Sequence, residues 1–263
     1  MRKNICIIGS ILIALLWACE KEDTGLPLNN PGLLYQVQFD GELNAEYSYT
    51  KSKRIAEEKS KMHYTRHNYQ HGKLISSDYY LDPGMFSSNS STAESAWNRE
   101  EWVHPTNTQK NSTKTYAYDE EGRISKSENE LEICAYRYDD KNRINRQTFY
   151  RDNKRTGYID YTYDPNDNVI KRCHYWVLAT GEAELQTTTV YEFDNKKNPY
   201  STFNSLLTPG RYTNTNNIIK ETYTIHHEVT PDIDKVQVTE NNYTYNTSGY
   251  PTSKNESVRY FYY

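Results

Sequence analysis

Three histidines at four-residue spacing, His63, His67 and His71, are the first residues of this sequence whose types and spacing suggest chemistry. Such spacing aligns imidazoles on one face of a helix or a strand, as a metal pair needs. Gly72 puts His71 in a turn, however, and no carboxylate or thiolate stands at matching spacing, so no metal is assigned. The adjacent His226 and His227 would point to opposite faces of a strand and read as ordinary strand residues. Asp164-Pro165-Asn166-Asp167-Asn168 has the oxygen density of a calcium loop but lacks its central glycine and terminal bidentate glutamate. Adjacent carboxylates (Glu100-Glu101, Glu120-Glu121, Asp139-Asp140) would do acid–base work only if two faced one gap about 5–9 Å wide. No nucleophile elbow, zinc-protease helix, phosphate loop or dinucleotide fingerprint is present. No catalytic residue and no cofactor is therefore expected, and a hydrolase ranks last among the functional readings.

The aromatic residues are the stronger lead. Trp97 and Trp102, with Met85 and Phe86, fall in a stretch from Asp82 to Thr113 where Ser91-Thr92-Ala93-Glu94 has the form of a capping box. That predicts a short helix over 92–102. Flat aromatic faces stack on sugar rings while their polar tips bond hydroxyls, so Trp97, Trp102, Phe86 and Trp176 are the candidate ligand-binding residues. The alternative is that the insertion's aromatics plug the mouth of the sheet as core.

These side chains need an address and a scaffold. Residues 1–18 have a basic start (Arg2, Lys3), an unbroken apolar run from Ile5 to Leu16 and a small residue at Ala18, the layout of a secretory signal. Leu16-Trp17-Ala18-Cys19 resembles a bacterial lipobox, with Trp17 where a small or hydroxyl residue is usual; the resemblance makes Cys19 the lipidated first residue. Glu20-Lys21-Glu22-Asp23 is similar to the acidic export tag of Bacteroidota surface lipoproteins, and residues 19–32 read as a tether. The expected location is the outer membrane, lipid-anchored and facing the exterior. Only Cys134 and Cys173 remain for the folded part, and the strand reading places them about three strands apart, roughly 14 Å and beyond disulfide reach unless the sheet curls.

The scaffold is written in the tyrosines, 26 of 263 residues. Tyr116 to Ile124 reads Y-A-Y-D-E-E-G-R-I and Tyr136 to Ile144 reads Y-R-Y-D-D-K-N-R-I. Looser copies start at Tyr47, Tyr161, Tyr191 and Tyr243, and a degenerate one spans Arg211 to Lys220. Two aromatics two apart share one face of a strand. An Asp or Asn then starts a turn by bonding the backbone two residues on, a Gly or Asn three later takes the left-handed conformation, and Ile or Val opens the next strand. The turns at 50, 70, 119, 139, 164, 194 and 246 would lie on one rim, with Lys59-Ser60, Asn129, Asp152 to Gly157 and Thr180-Gly181 on the other.

The resulting fold is all-β: an antiparallel meander of about 13–15 strands over residues 33–263, with one short helical insertion at 82–113. Along Ile219 to His226 one face is Tyr plus aliphatic and the other Lys, Thr and His, too polar for lipid. A one-layer sheet hides its aromatic face by curling into a barrel or half-barrel, wide enough to need long side chains or an insertion inside, or else to keep a groove. Hydrophobic residues are 35% and the net charge is −4, which excludes a multi-span helical membrane protein and argues against nucleic-acid binding. Aromatics at 14% exclude disorder.

The Y-x-Y-D-x-x-G-R-I wording over 47–263 resembles the tyrosine-aspartate repeats of Rhs and cell-wall-associated proteins. Together with the lipobox it is similar to uncharacterised lipoprotein families of gut Bacteroidota with a porin-like fold. Only the turns at 119 and 246 keep the glycine, and only Arg54, Arg123 and Arg143 keep the arginine. The resemblance implies a β-shell or barrel at the cell surface and brings no catalytic residue. Three functions compete. A surface-anchored binding module, for a glycan or a surface protein, predicts aromatics in a groove. A structural or assembly lipoprotein predicts a filled interior. A hydrolase predicts converging titratable groups.

Overall fold

The computed structural model describes residues 32–82, 101–206, 208–226 and 233–263. Cys19 and the capping box at 91–94 lie outside them. The first strands are β1 (Leu34–Phe39), β2 (Glu42–Tyr49), β3 (Ile55–Ser60), β4 (His63–Gln70), β5 (Lys73–Leu81) and β6 (Ser112–Tyr118). Then come β7 (Ile124–Glu128), β8 (Ile133–Tyr138), β9 (Ile144–Arg151), β10 (Lys154–Tyr163), β11 (Val169–Val177) and β12 (Ala183–Lys197). A 3-10 turn, Ser201–Leu206, separates β12 from β13 (Asn216–Ile225). The last are β14 (Lys235–Glu240), β15 (Tyr243–Tyr245), β16 (Pro251–Lys254) and β17 (Val258–Tyr262).

The 17 strands of the described residues form one antiparallel meander in which consecutive strands pair except β14 and β15, and β1 also pairs with β17. The ladder has one gap, between β14 and β15, so the sheet curls round to a seam without closing into a barrel. β14 and β15 run in one direction as two pieces of an interrupted strand: β14 pairs with β13, and β15 pairs with β16. The break at Asn241-Asn242 explains part of the strand count above expectation. Asn241 donates from its backbone to Ile219 (2.8 Å) and from its side chain to Ile218 (2.9 Å), and the Tyr243 hydroxyl donates to Ile218 (3.2 Å), which stitches the seam at one end.

The repeated phrase folds as its chemistry dictates. Asp139 Oδ1 accepts the backbone N–H of Lys141 (3.0 Å) and Arg143 (2.9 Å), and Asn142 takes the left-handed conformation at φ 60°. Gly122 (79°) and Gly249 (81°) hold the same position in their turns, and so do Lys53 and Asp167, where no glycine is present. The calcium-like run is one of these turns, with Asp164 Oδ1 accepting from Asn166 and Asn168.

Each copy also reaches for the next. The Arg143 guanidinium bonds Asp139 Oδ2 (2.8 Å) and lies 4.5 Å from the centre of the Tyr163 ring, while the Tyr163 hydroxyl donates to the carbonyl of Ile144 (2.7 Å). One copy earlier, Arg123 lies 4.8 Å from the Tyr138 ring and Tyr138 donates to Ile124 (2.8 Å). The second tyrosine of a phrase is therefore a clamp on the preceding hairpin as well as an apolar wall residue. Asp139→Ala removes the acceptor for two turn amides and one guanidinium and is expected to cost about 1–2 kcal/mol, with Asp139→Asn costing less. Urea unfolding checks this, and an unchanged midpoint for the alanine variant would refute the turn's role.

The described end of the 82–113 insertion packs on the outer face. Val103 is buried and the His104 ring meets Tyr64 edge-on at 5.4 Å, on the side of β4 opposite to His67. What enters the interior is another segment, residues 198–206 and 208–214, between β12 and β13. This corrects the reading of Arg211 to Lys220 as a degenerate hairpin copy. Phe203 at 0% exposure packs with Tyr47, Tyr49, Tyr200 and Tyr212, inside a core that includes Leu34, Val37, Ile55 and Tyr260. Asn198 pins the segment by donating to the carbonyls of Arg211 (2.8 Å) and Asn214 (2.9 Å).

Candidate functional site

Register places the first tyrosine of each phrase on the concave face. Tyr47 pairs with Glu58, Tyr116 with Ser127, Tyr136 with Gln147, Tyr161 with Arg172 and Tyr191 with Glu221, and all of these positions face inward. Curling brings the concave faces of distant strands together around residues 198–206 and 208–214, and protein side chains leave part of the space between them open. One cavity there is about 800 Å³. Its walls include Tyr161, Arg172, Tyr191, Glu221, Tyr243, Lys254 and Tyr260, and the inserted segment contributes Tyr200 and Arg211. A second cavity of about 410 Å³ lies on the other side of Arg211, beside Tyr47, Glu58 and Tyr212.

Arg211 is solvent-accessible although protein surrounds it, because it lines both of these cavities. Its guanidinium stands 4.4 Å from the centre of the Tyr200 ring and 5.3 Å from that of Tyr212. Across the larger cavity, burial lowers the pKa of Lys254, the charge of Arg211 adds to that lowering, and Glu221 opposes it.

A third cavity, about 270 Å³, adjoins a buried polar relay. Glu58 Oε1 is 3.1 Å from His67 Nε2, His67 Nδ1 is 2.8 Å from Ser77 Oγ, and Ser77 Oγ is 3.2 Å from the Tyr116 hydroxyl. Burial alone would raise the Glu58 pKa; the His67 hydrogen bond and the charges of His67, His63 and Arg211 outweigh it and hold the carboxyl below its ordinary value. The residue types are those of a nucleophilic triad, but Ser77 is fully buried behind its two partners and does not line the cavity. Its hydroxyl serves the wall. Cys134 does reach this cavity, with its thiol pushed up to about 11 by burial, which disfavours the thiolate. Cys134 on β8 and Cys173 on β11 are both free thiols, three strands apart.

Of the residues singled out from sequence, Trp176 lies on β11 and is 55% exposed, and Trp102 is half-buried at the start of the described outer segment. Neither lines any of the three cavities. Phe86 and Trp97 lie outside the described residues. His63 and His67 share the concave face of β4, while His71 occupies a turn at φ 49°. Among the described residues no group of three or more His, Cys, Asp or Glu could hold a metal ion, and no helix is long and apolar enough to cross a membrane. Sequence reasoning missed Arg172, Lys254 and the inserted Tyr200 and Arg211. The available signal was the long interval between the turns at 194 and 246.

The fold and its cavities define a tyrosine-lined β-shell with an internal plug. No protein-family model and no curated protein matches the chain. Among solved structures it is similar to a porin-like protein from Bacteroides uniformis (11% identity, TM-score 0.47, covering 86% of this chain and 94% of that one). A porin-like protein from Bacteroides vulgatus is also similar (12% identity, TM-score 0.39, covering 88% and 99%). The chain further resembles part of the Photorhabdus luminescens Tc holotoxin pore (14% identity, TM-score 0.27), spanning 14% of that chain's length.

Proposed function

We propose that this protein is a surface-anchored lipoprotein of the outer membrane that acts as a binding module, taking a small polar ligand into the cavity inside its β-shell. The observation that carries the reading is the cavity of about 800 Å³, left open by a plug that fills only part of the interior. Ligand sites commonly measure about 300–1,000 Å³ and combine aromatic walls with a few convergent polar groups. Tyr161, Tyr191, Tyr243 and Tyr260 supply such walls, with Arg172, Glu221 and Lys254 among the polar groups. A purely structural lipoprotein has no use for that space. The anchor rests on the Leu16-Trp17-Ala18-Cys19 motif, and the outward orientation on the acidic run after it. Sugars remain the class that tyrosine faces and hydroxyls suit best.

The test is calorimetry of the full chain in detergent against a panel of mono- and oligosaccharides. Saturable binding weakened about five- to tenfold by Tyr191→Phe, the loss of one wall hydroxyl, is the expected result. Binding lost instead in Trp102→Ala or Trp176→Ala would move the site to the tryptophans. Silence across the panel would favour the structural reading.

A further inference from the structure

We propose that the ligand of the large cavity is a small organic carboxylate, gripped by Arg172, Arg211 and Lys254. This rests on the cavity reading above and names the ligand's chemical class. Three cations and one carboxylate, Glu221, line that cavity. Among the described residues none of the three cations has a carboxylate within ion-pairing distance, whereas cations elsewhere are routinely paired. Arg146 holds Asp160 with two bonds (2.5 and 2.6 Å), Arg143 holds Asp139 (2.8 Å), and Lys220 holds Glu192 (2.8 Å). An acidic chain of net charge −4 has thus gathered positive charge around this one cavity.

Such an arrangement costs stability, because cations partly withdrawn from water repel one another and Glu221 and Glu58 act on them only at a distance, without a contact ion pair. A bound anion removes that cost. Arg172 and Arg211 present planar forks that match the two oxygens of a carboxylate, while Lys254 adds a point charge. Arg172 pairs in register with Tyr161, Arg211 lies over the Tyr200 ring at 4.4 Å, and Tyr191, Tyr243 and Tyr260 line the same cavity, so the cations stand among aromatic walls that a ring can meet. Acidic sugars combine both features.

The experiment is calorimetry of the full chain in detergent with D-galacturonate and trigalacturonate beside their neutral parents, D-galactose and trigalactose, at low and physiological salt. The acids should bind at least tenfold more tightly than the neutral sugars and weaken as salt rises. Arg172→Gln and Lys254→Gln should each weaken the acid tenfold or more, with Tm unchanged or raised because a destabilising charge has gone. Neutral sugars binding as tightly as the acids, or glutamine variants binding the acid unchanged, would overturn the carboxylate assignment and leave the cavity reading standing. If neither acid nor neutral sugar binds, both readings fall.

Discussion

Alkali is expected to unfold this protein cooperatively near pH 11, with loss of β-sheet circular dichroism coinciding with a steep rise in tyrosinate absorbance. Burial raises the pKa of Tyr47, Tyr49, Tyr116, Tyr136, Tyr161, Tyr163, Tyr243, Tyr260 and Tyr262 well above their ordinary value of 10.0. It pushes Tyr212 up to about 12. A group whose folded pKa exceeds its unfolded one contributes stability that is intact below the unfolded value and is lost progressively as pH rises from there through the folded value. For one such tyrosine the loss between neutrality and pH 11 is about 1.4 kcal/mol. Even halved for partial solvent access, ten of them remove about 7 kcal/mol, comparable to the whole stability of many domains. Many of these hydroxyls are also donors to backbone carbonyls, as Tyr49 is to Leu34 (2.8 Å) and Tyr262 to Pro251 (2.7 Å), and ionisation ends the donation. A shallow titration centred near pH 10 with the sheet signal retained would refute this account.

Phe203→Ala should cost about 3–5 kcal/mol, the range for deleting a large aromatic from a packed core. The ring is fully buried and meets Tyr47 at 4.9 Å, Tyr212 at 5.5 Å, Tyr200 at 5.6 Å and Tyr49 at 6.1 Å, so its loss leaves a hole among four aromatics. With Tyr200, which also meets Tyr47, it ties the inserted segment to β2 of the wall. Phe203→Leu, which retains most of the apolar volume, should cost much less. Chemical denaturation of the two variants measures both effects. A cost below about 1 kcal/mol for the alanine would mean that the segment is not anchored through this ring.

Much of the wall is legible in the sequence because its determinants are local. The run Tyr136-Arg137-Tyr138-Asp139 specifies a strand by period-two alternation and a turn by an aspartate that bonds its own backbone, and both act within a few residues. The separation of Cys134 from Cys173 follows from counting such units. The break at Asn241-Asn242 is harder to see, since it arises where one strand changes partner from β13 to β16 and nothing local demands it.

By itself, then, the sequence determined the all-β class, the meander, the rim on which each phrase turns and the inward face of its tyrosines. Tertiary structure alone decided which insertion enters the shell and which residues meet inside it. Periodicity tells a side chain which face it is on but carries no information about what lies opposite once the sheet has curled. Arg172, Glu221 and Lys254 are unremarkable positions on three different strands, and Arg211 belongs to a loop. Curvature accumulated over 17 strands, and the packing of Phe203 into the tyrosine core, bring them to one cavity. Trp102 and Trp176, conspicuous by residue type, line none of the interior cavities because neither strand register nor the outer packing of Val103 and His104 directs them inward.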